Sequence, residues 1–154
     1  MHKIDLQTAP SGSGSSYPAP FDEPCRGRSW HRLGVAAGLA HLGVNLVRLA
    51  PGAWSSQRHW HSHEDEFVHV LSGELVLVTD DGEEVLVAGD GAGFPAGVKN
   101  GHCLQNRSTG EAVFLVAGNR SNEDGGEYSD IDMAFKPGRY AGGGGYFHKD
   151  GSPY

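Results

Sequence analysis

Nine of the 154 residues are histidine, and four of them, His59, His61, His63 and His69, crowd into one short run, RHWHSHEDEFVHV. His59 and His61 stand two apart, so on an extended chain both imidazoles point to the same face. Convergent ring nitrogens of that kind are what a transition-metal ion needs. Glu66 follows five positions after His61. Five is odd, so a turn or bulge must intervene for the carboxylate to share the face, and His63-Glu64-Asp65 is the place for it. Beyond that point Glu66, Val68 and Val70 share one face. A carboxylate at the end of an apolar row is the pattern of a ligand projecting into a barrel. His102 opens the run HCLQNR after the turn-rich PAGVKNG and shares its face with Leu104 and Asn106, while Cys103 points the other way. His59, His61, Glu66 and His102 would form a mixed nitrogen–oxygen set for one divalent transition metal. Zinc, manganese, iron and nickel all suit it, as do cobalt and copper, and the set does not choose among them. Only neutral imidazole ligates, so binding is expected to weaken as the pH falls through about 6.5.

Other candidates read more plainly. His69 lies on the opposite strand face from Glu66, which suits surface or interface packing. His63 could replace His61 in an H-x-H pair only if Glu66 followed by two residues. Asp80, Asp81, Glu83 and Glu84 form an acidic hairpin tip suited to solvent. Trp54 and Trp60 read as packing residues, with Trp60 facing away from its histidine neighbours. Arg58 and Lys99 are the cations near the histidine runs that could meet an anionic substrate. His31 and His148 have no evident partner in the sequence.

The elements that must carry these groups are short. LGVNLVRL (42–49) is a strand closed by Pro51-Gly52, followed by strands at 66–71, 74–79, 83–88, 102–107 and 112–118. Asp81-Gly82 is a tight hairpin signal between the third and fourth of these. Strands at such close, regular spacing with no long helix argue for a sandwich or closed barrel. Runs 74–79 and 83–88 are apolar on both faces, so both faces are expected to be covered, by a further strand or by a second subunit. LGVAAGLAH (33–41) looks helical but carries two glycines, which favours a turn or loop. Residues 1–30 are rich in Ser, Gly and Pro and make an extended arm, either free or laid over the domain as a strap. Residues 31–120 make the barrel domain. Residues 121–154 are a glycine-rich tail whose isolated aromatic residues would pin it to the barrel.

Composition narrows the partners. Twelve Lys and Arg against 19 Asp and Glu leave a formal charge of −7. No basic cluster exceeds Arg26–Arg28, which argues against a nucleic-acid partner, and the charge argues against an anionic membrane surface. No apolar run approaches the ~18 residues of a spanning helix, and the opening residues lack the apolar stretch of a signal peptide. Cys25 and Cys103 are far apart and read as free thiols, so a cytoplasmic protein is expected. The 24 glycines, about twice the usual frequency of roughly 7%, imply many sharp turns.

Gly52, His59-x-His61, Glu66 and Gly73 resemble the first motif of the cupin superfamily. Gly89, Pro95, Gly97, His102 and Asn106 resemble the second, fifteen residues further on. The sequence departs from the pattern by one extra residue before His59 and two before His102. The resemblance, which spans roughly 42–120, is closest to bacterial single-domain cupins. It implies an all-β fold: an antiparallel jelly-roll barrel (a double-stranded β-helix) with the metal at its open end. His59, His61, Glu66 and His102 would be the ligands, and the barrel would be homodimeric. It also implies a small-molecule substrate or ligand. An isomerase- or lyase-like enzyme acting on a small polar substrate comes first, with sugar-phosphate isomerisation as the family example. An iron- or manganese-dependent dioxygenase and a non-enzymatic binder or sensor are the alternatives. No DNA-binding helix accompanies the barrel. Fold alone does not choose among these chemistries.

Overall fold

Apolar runs fenced by glycine and proline form short antiparallel strands, as that pattern requires. In the computed structural model, which describes residues 3–154, twelve strands build three sheets. They are β1 (Ser11–Ser13), β2 (Arg28–Arg32), β3 (Leu42–Leu49), β4 (Glu66–Ser72), β5 (Glu74–Thr79), β6 (Gly82–Val87), β7 (Gly91–Phe94), β8 (Cys103–Gln105), β9 (Ala112–Asn119), β10 (Gly126–Glu127), β11 (Ala134–Phe135) and β12 (Tyr146–Phe147). The main sheet runs β1-β2-β3-β9-β4-β7, the second β6-β5-β8, and the third, small one β10-β11-β12. Every pairing is antiparallel.

The core lies between the first two sheets. Val47 and Leu49 from β3, Val68 and Val70 from β4, and Phe114 from β9 meet Leu75 and Leu77 from β5, Leu86 from β6 and Leu104 from β8. These are the alternating inward positions that a two-sheet barrel demands. A second cluster joins the two ends of the chain: Tyr128, Met133 and Phe135 of the C-terminal segment pack with Tyr17 and Phe21 of the N-terminal arm.

Three local details bear on the sequence pattern. The stretch 33–41 holds one helical turn, α1 (Leu33–Ala36), because Gly34 lies hard against β3. A Cβ there would sit 2.9 Å from the Leu42 carbonyl. The β5–β6 hairpin turns on Asp80-Asp81 with Thr79 opposite Gly82, and positive φ falls only on Gly82. Side chains hold that turn: Asp80 N donates to Asn100 Oδ1, and Asp81 N donates to Thr79 Oγ1. Finally, β5 is buried on both faces at Leu75, Val76 and Leu77, but Val85 and Val87 of β6 are exposed.

Candidate metal centre

His59 and His102 are placed by each other. His59 N donates to His102 O at 3.2 Å and His102 N donates to His59 O at 2.9 Å, so the two residues form an antiparallel bridge. His61 follows at the same-face spacing. The chain then bends at Ser62-His63, within the region where the odd spacing required a break, and β4 begins at Glu66. Glu66 is flanked by Phe94 on β7 and Gly118 on β9. The latter must be glycine, since a Cβ there would lie 2.5 Å from the Asp65 carbonyl.

Donor atoms of His59, His61 and Glu66 lie within 4.8 Å of one another, and His102 reaches this group through Glu66. His59 Nε2 and His61 Nε2 are 3.1 Å apart, His61 Nε2 and Glu66 Oε2 3.9 Å, and His102 Nε2 and Glu66 Oε1 3.5 Å. Donor atoms sharing an ion at ~2.0–2.2 Å from each are themselves roughly 3–4 Å apart, so these spacings fit. His102 is stacked flat on Phe94, with centroids 3.6 Å apart and planes within 2°. Both of its ring nitrogens are buried without a hydrogen-bond partner, and such atoms are ordinarily satisfied. The carboxylates Glu64 and Asp124, both paired with Arg139, lie beside Glu66 and the histidines.

Burial, then repulsion from His61 and His102, pushes the His59 pKa down to about 3, so the ring stays neutral and ligating. Burial would raise the Glu66 carboxyl, but the His102, His59 and His61 rings that face it outweigh burial and bring the group down to about 2.

Spacing arguments missed the next ring of groups. His61 Nδ1 lies 2.8 Å from Asp124 Oδ2, and Asp124 is fully buried. Glu64 accepts from Ser121 N and Arg139 Nη2, and Arg139 Nη2 also reaches Asp124 at 3.3 Å. Asp124 and Arg139 lie in the C-terminal segment, where no periodicity points at the barrel. His63 is exposed and bonds Ser62, and His69 is half-buried.

The quartet lines a cavity of about 710 Å³ whose walls also carry Arg28, Lys136 and Arg139. The cations near the histidine runs do not line it: Arg58 pairs with Asp130 and Asp80, and Lys99 lies over the Trp60 ring. The cavity's cations come instead from the arm side and the tail.

The class this defines is a small antiparallel jelly-roll barrel with a histidine–carboxylate cluster in an open cavity. The model of the Cupin domain family matches residues 45–118. The chain is 49% identical to a sugar phosphate isomerase of the cupin superfamily from Silicibacter pomeroyi; the match covers 99% of this chain and 96% of that one, with a TM-score of 0.93. A protein from Acidithiobacillus ferrooxidans, provisionally assigned as a sugar phosphate isomerase, is 34% identical over 71% of this chain and 70% of its own, with a TM-score of 0.68. A polyketide cyclase from Streptomyces resistomycificus shares the fold at 17% identity, over 77% and 79% of the two chains, with a TM-score of 0.63. No match was found among curated protein sequences. The chain belongs to the cupin superfamily.

Proposed function

We propose that the chain is a metal-dependent enzyme acting on a small polar substrate of the sugar-phosphate class by isomerase-type chemistry. One divalent ion would be held by His59, His61, Glu66 and His102. The observation that carries this reading is the quartet's position in a cavity that also exposes Arg28, Lys136 and Arg139. A phosphorylated substrate needs cations at one end and a polarising centre at the other. The 49% identity to a sugar phosphate isomerase supports the same substrate class.

When bound, the metal supplies Lewis acidity that polarises a carbonyl or hydroxyl oxygen. The chain does the rest. Arg28, Lys136 and Arg139 attract the anionic end. Phe135, whose ring centroid is 5.2 Å from that of His61, and Tyr128, 5.6 Å from that of His59, keep water from that side of the centre. The Tyr140 hydroxyl donates to Glu64 Oε2 at 3.3 Å, and both residues line the cavity, so a proton can pass through this phenol–carboxylate pair. The reading includes a homodimer in the cytoplasm: Val85 and Val87 give the edge strand β6 an apolar strip suited to a second copy.

The test is elemental analysis of protein purified without added metal, followed by turnover of a panel of aldose and ketose phosphates with and without chelator. A stoichiometric divalent ion, interconversion of one aldose–ketose pair, and loss of most metal in His61→Ala are expected. Full metal occupancy in His61→Ala refutes its assignment as a ligand. Oxygen uptake with iron bound would replace the isomerase reading by a dioxygenase, and a tightly held organic ligand without metal would replace it by a binder.

A further inference from the structure

We propose that Asp124 is a positioning residue of the metal centre: its carboxylate holds His61 as the Nδ1–H tautomer and aims Nε2 at Glu66 and His59. The role rests on His61 being a ligand, as in the reading above. Asp124 lies beyond the family match of 45–118, so this chain's C-terminal segment, not its barrel motifs, supplies the group.

The geometry is closed on every side. Asp124 is fully buried, Oδ2 is 2.8 Å from His61 Nδ1, and Oδ1 accepts the His63 backbone N–H at 3.0 Å. An ionised carboxylate only accepts hydrogen bonds, so the ring proton must sit on Nδ1 and the Nε2 lone pair faces the cluster. The Arg139 guanidinium, 3.3 Å from Oδ2, gives the carboxylate a cationic neighbour. His59 is oriented in a similar way, with Nδ1 2.9 Å from the Gln57 carbonyl. His102 has no such partner and relies on stacking against Phe94.

The segment that delivers Asp124 is rigidly docked. Ser62 N donates to Gly125 O at 2.8 Å, and Gly125 N donates to Ser62 Oγ at 2.8 Å. Trp60 N donates to Glu127 O at 3.3 Å. Gly126 admits this approach, because a Cβ there would fall 2.0 Å from the Trp60 carbonyl oxygen. The stretch bearing His59 and His61 and the segment bearing Asp124 are thus tied by three hydrogen bonds. Partners of this kind fix ring orientation and raise ligand basicity, and their loss typically weakens metal affinity about 10–100-fold.

The test compares the full-length wild type with Asp124→Ala, Asp124→Asn and Tyr154→Phe. Zn(II) affinity is read by competition with a chromophoric chelator, and the Co(II) complex by its visible spectrum. The His61 tautomer is read in the metal-free protein from long-range ¹⁵N NMR. Asp124→Ala is expected to lose the Nδ1–H pattern, bind Zn(II) about 10–100-fold more weakly and shift the Co(II) bands. Asp124→Asn has one acceptor oxygen for the His61 and His63 N–H groups; with it on the backbone N–H its NH2 faces His61 Nδ1, so the Nδ1–H pattern should be lost and Zn(II) bound more weakly. Tyr154→Phe removes the bond from the Tyr154 hydroxyl to the Asp132 carbonyl and loosens the tail outside the cavity, so its tautomer and affinity should stay near wild type. A folded Asp124→Ala with wild-type tautomer and affinity overturns the proposal, as does a Tyr154→Phe that weakens Zn(II) equally. If Asp124→Ala fails to fold, unchanged affinity in Asp124→Asn overturns it. A wild-type protein that binds neither ion sinks the metal reading, while the tautomer comparison still decides what Asp124 does to His61.

Discussion

Asn106 is the sharpest place to test how the barrel presents His102, because its side chain uses every hydrogen-bonding position it has. It is fully buried. Its Nδ2 donates to the carbonyls of Leu49 and Gly110, each at 2.8 Å, and its Oδ1 accepts from Ser108 N at 3.0 Å and Ser108 Oγ at 2.8 Å. Its backbone is paired with Ala53 and Gly52, which begin the segment leading to His59. In Asn106→Ala the Ser108 and Gly110 groups are near enough to solvent to find water, but the Leu49 carbonyl sits on a residue with no exposure. Losing the made bonds at roughly 1 kcal/mol each where they are buried, and stranding the Leu49 carbonyl at ~1–2 kcal/mol, gives a loss of about 3 kcal/mol. For a chain of this length that lowers Tm by roughly 6–12 °C. Asn106→Asp is the sharper probe. Ionised, it turns an acceptor toward two carbonyl oxygens, so its folded pKa must rise above the unfolded value of about 3.9. Its deficit is therefore smallest in acid and grows to its full size as the pH rises through the raised folded pKa, whereas that of Asn106→Ala stays flat. Urea denaturation of both variants from pH 4 to 8 measures this. A folded Asn106→Ala within 1 kcal/mol of wild type, or an Asn106→Asp deficit that grows toward acid, would refute the reasoning.

Two further outcomes follow from local geometry. Gly73 joins β4 to β5 at φ +79°, and a Cβ there would meet the Glu111 carbonyl at 2.7 Å. Gly73→Ala should cost roughly 2–4 kcal/mol in denaturant melts, against ~1–2 kcal/mol for Gly52→Ala, which shares the positive φ but has open space around it. Equal losses at the two sites would contradict the close-approach argument. Arg58, hydrogen-bonded to Asp130, holds that carboxyl below its usual range, so the pair stabilises the fold above the ordinary carboxylate pKa and the gain is lost as the pH falls through the lowered value. Arg58→Met should cost on the order of 1 kcal/mol or less at pH 7, since the Asp130 side chain is largely exposed, and the gap to wild type should close toward pH 3; a gap that widens in acid would show that the pair does not act this way.

What could be read from the sequence and what could not divide along a physical line. β3 and β5 fall on the predicted residues, because period-two apolar runs and the turns that end them are local properties of the chain. The gathering of His59, His61 and Glu66 was legible for the same reason: even spacings put side chains on one face, and the single odd spacing demanded the bend that occurs at Ser62-His63. Asp124, Glu64, Arg139 and the cavity-lining Arg28 obey no period. Asp124 reaches His61 because glycine at 126 lets one backbone ride on another, and Arg139 reaches Glu64 because the tail is held by aromatic packing among Tyr17, Tyr128 and Tyr146. Such contacts depend on shapes that exist only after the barrel has formed. The difference also bears on chemistry. Three neutral imidazoles and one carboxylate, the set legible in sequence, carry one negative charge. The folded centre adds two buried carboxylates, Glu64 and Asp124, and the Arg139 guanidinium paired with both. A buried carboxylate is costly unless it is paired and hydrogen-bonded. The electrostatic setting of the His61 ring thus comes from residues that the motifs do not contain.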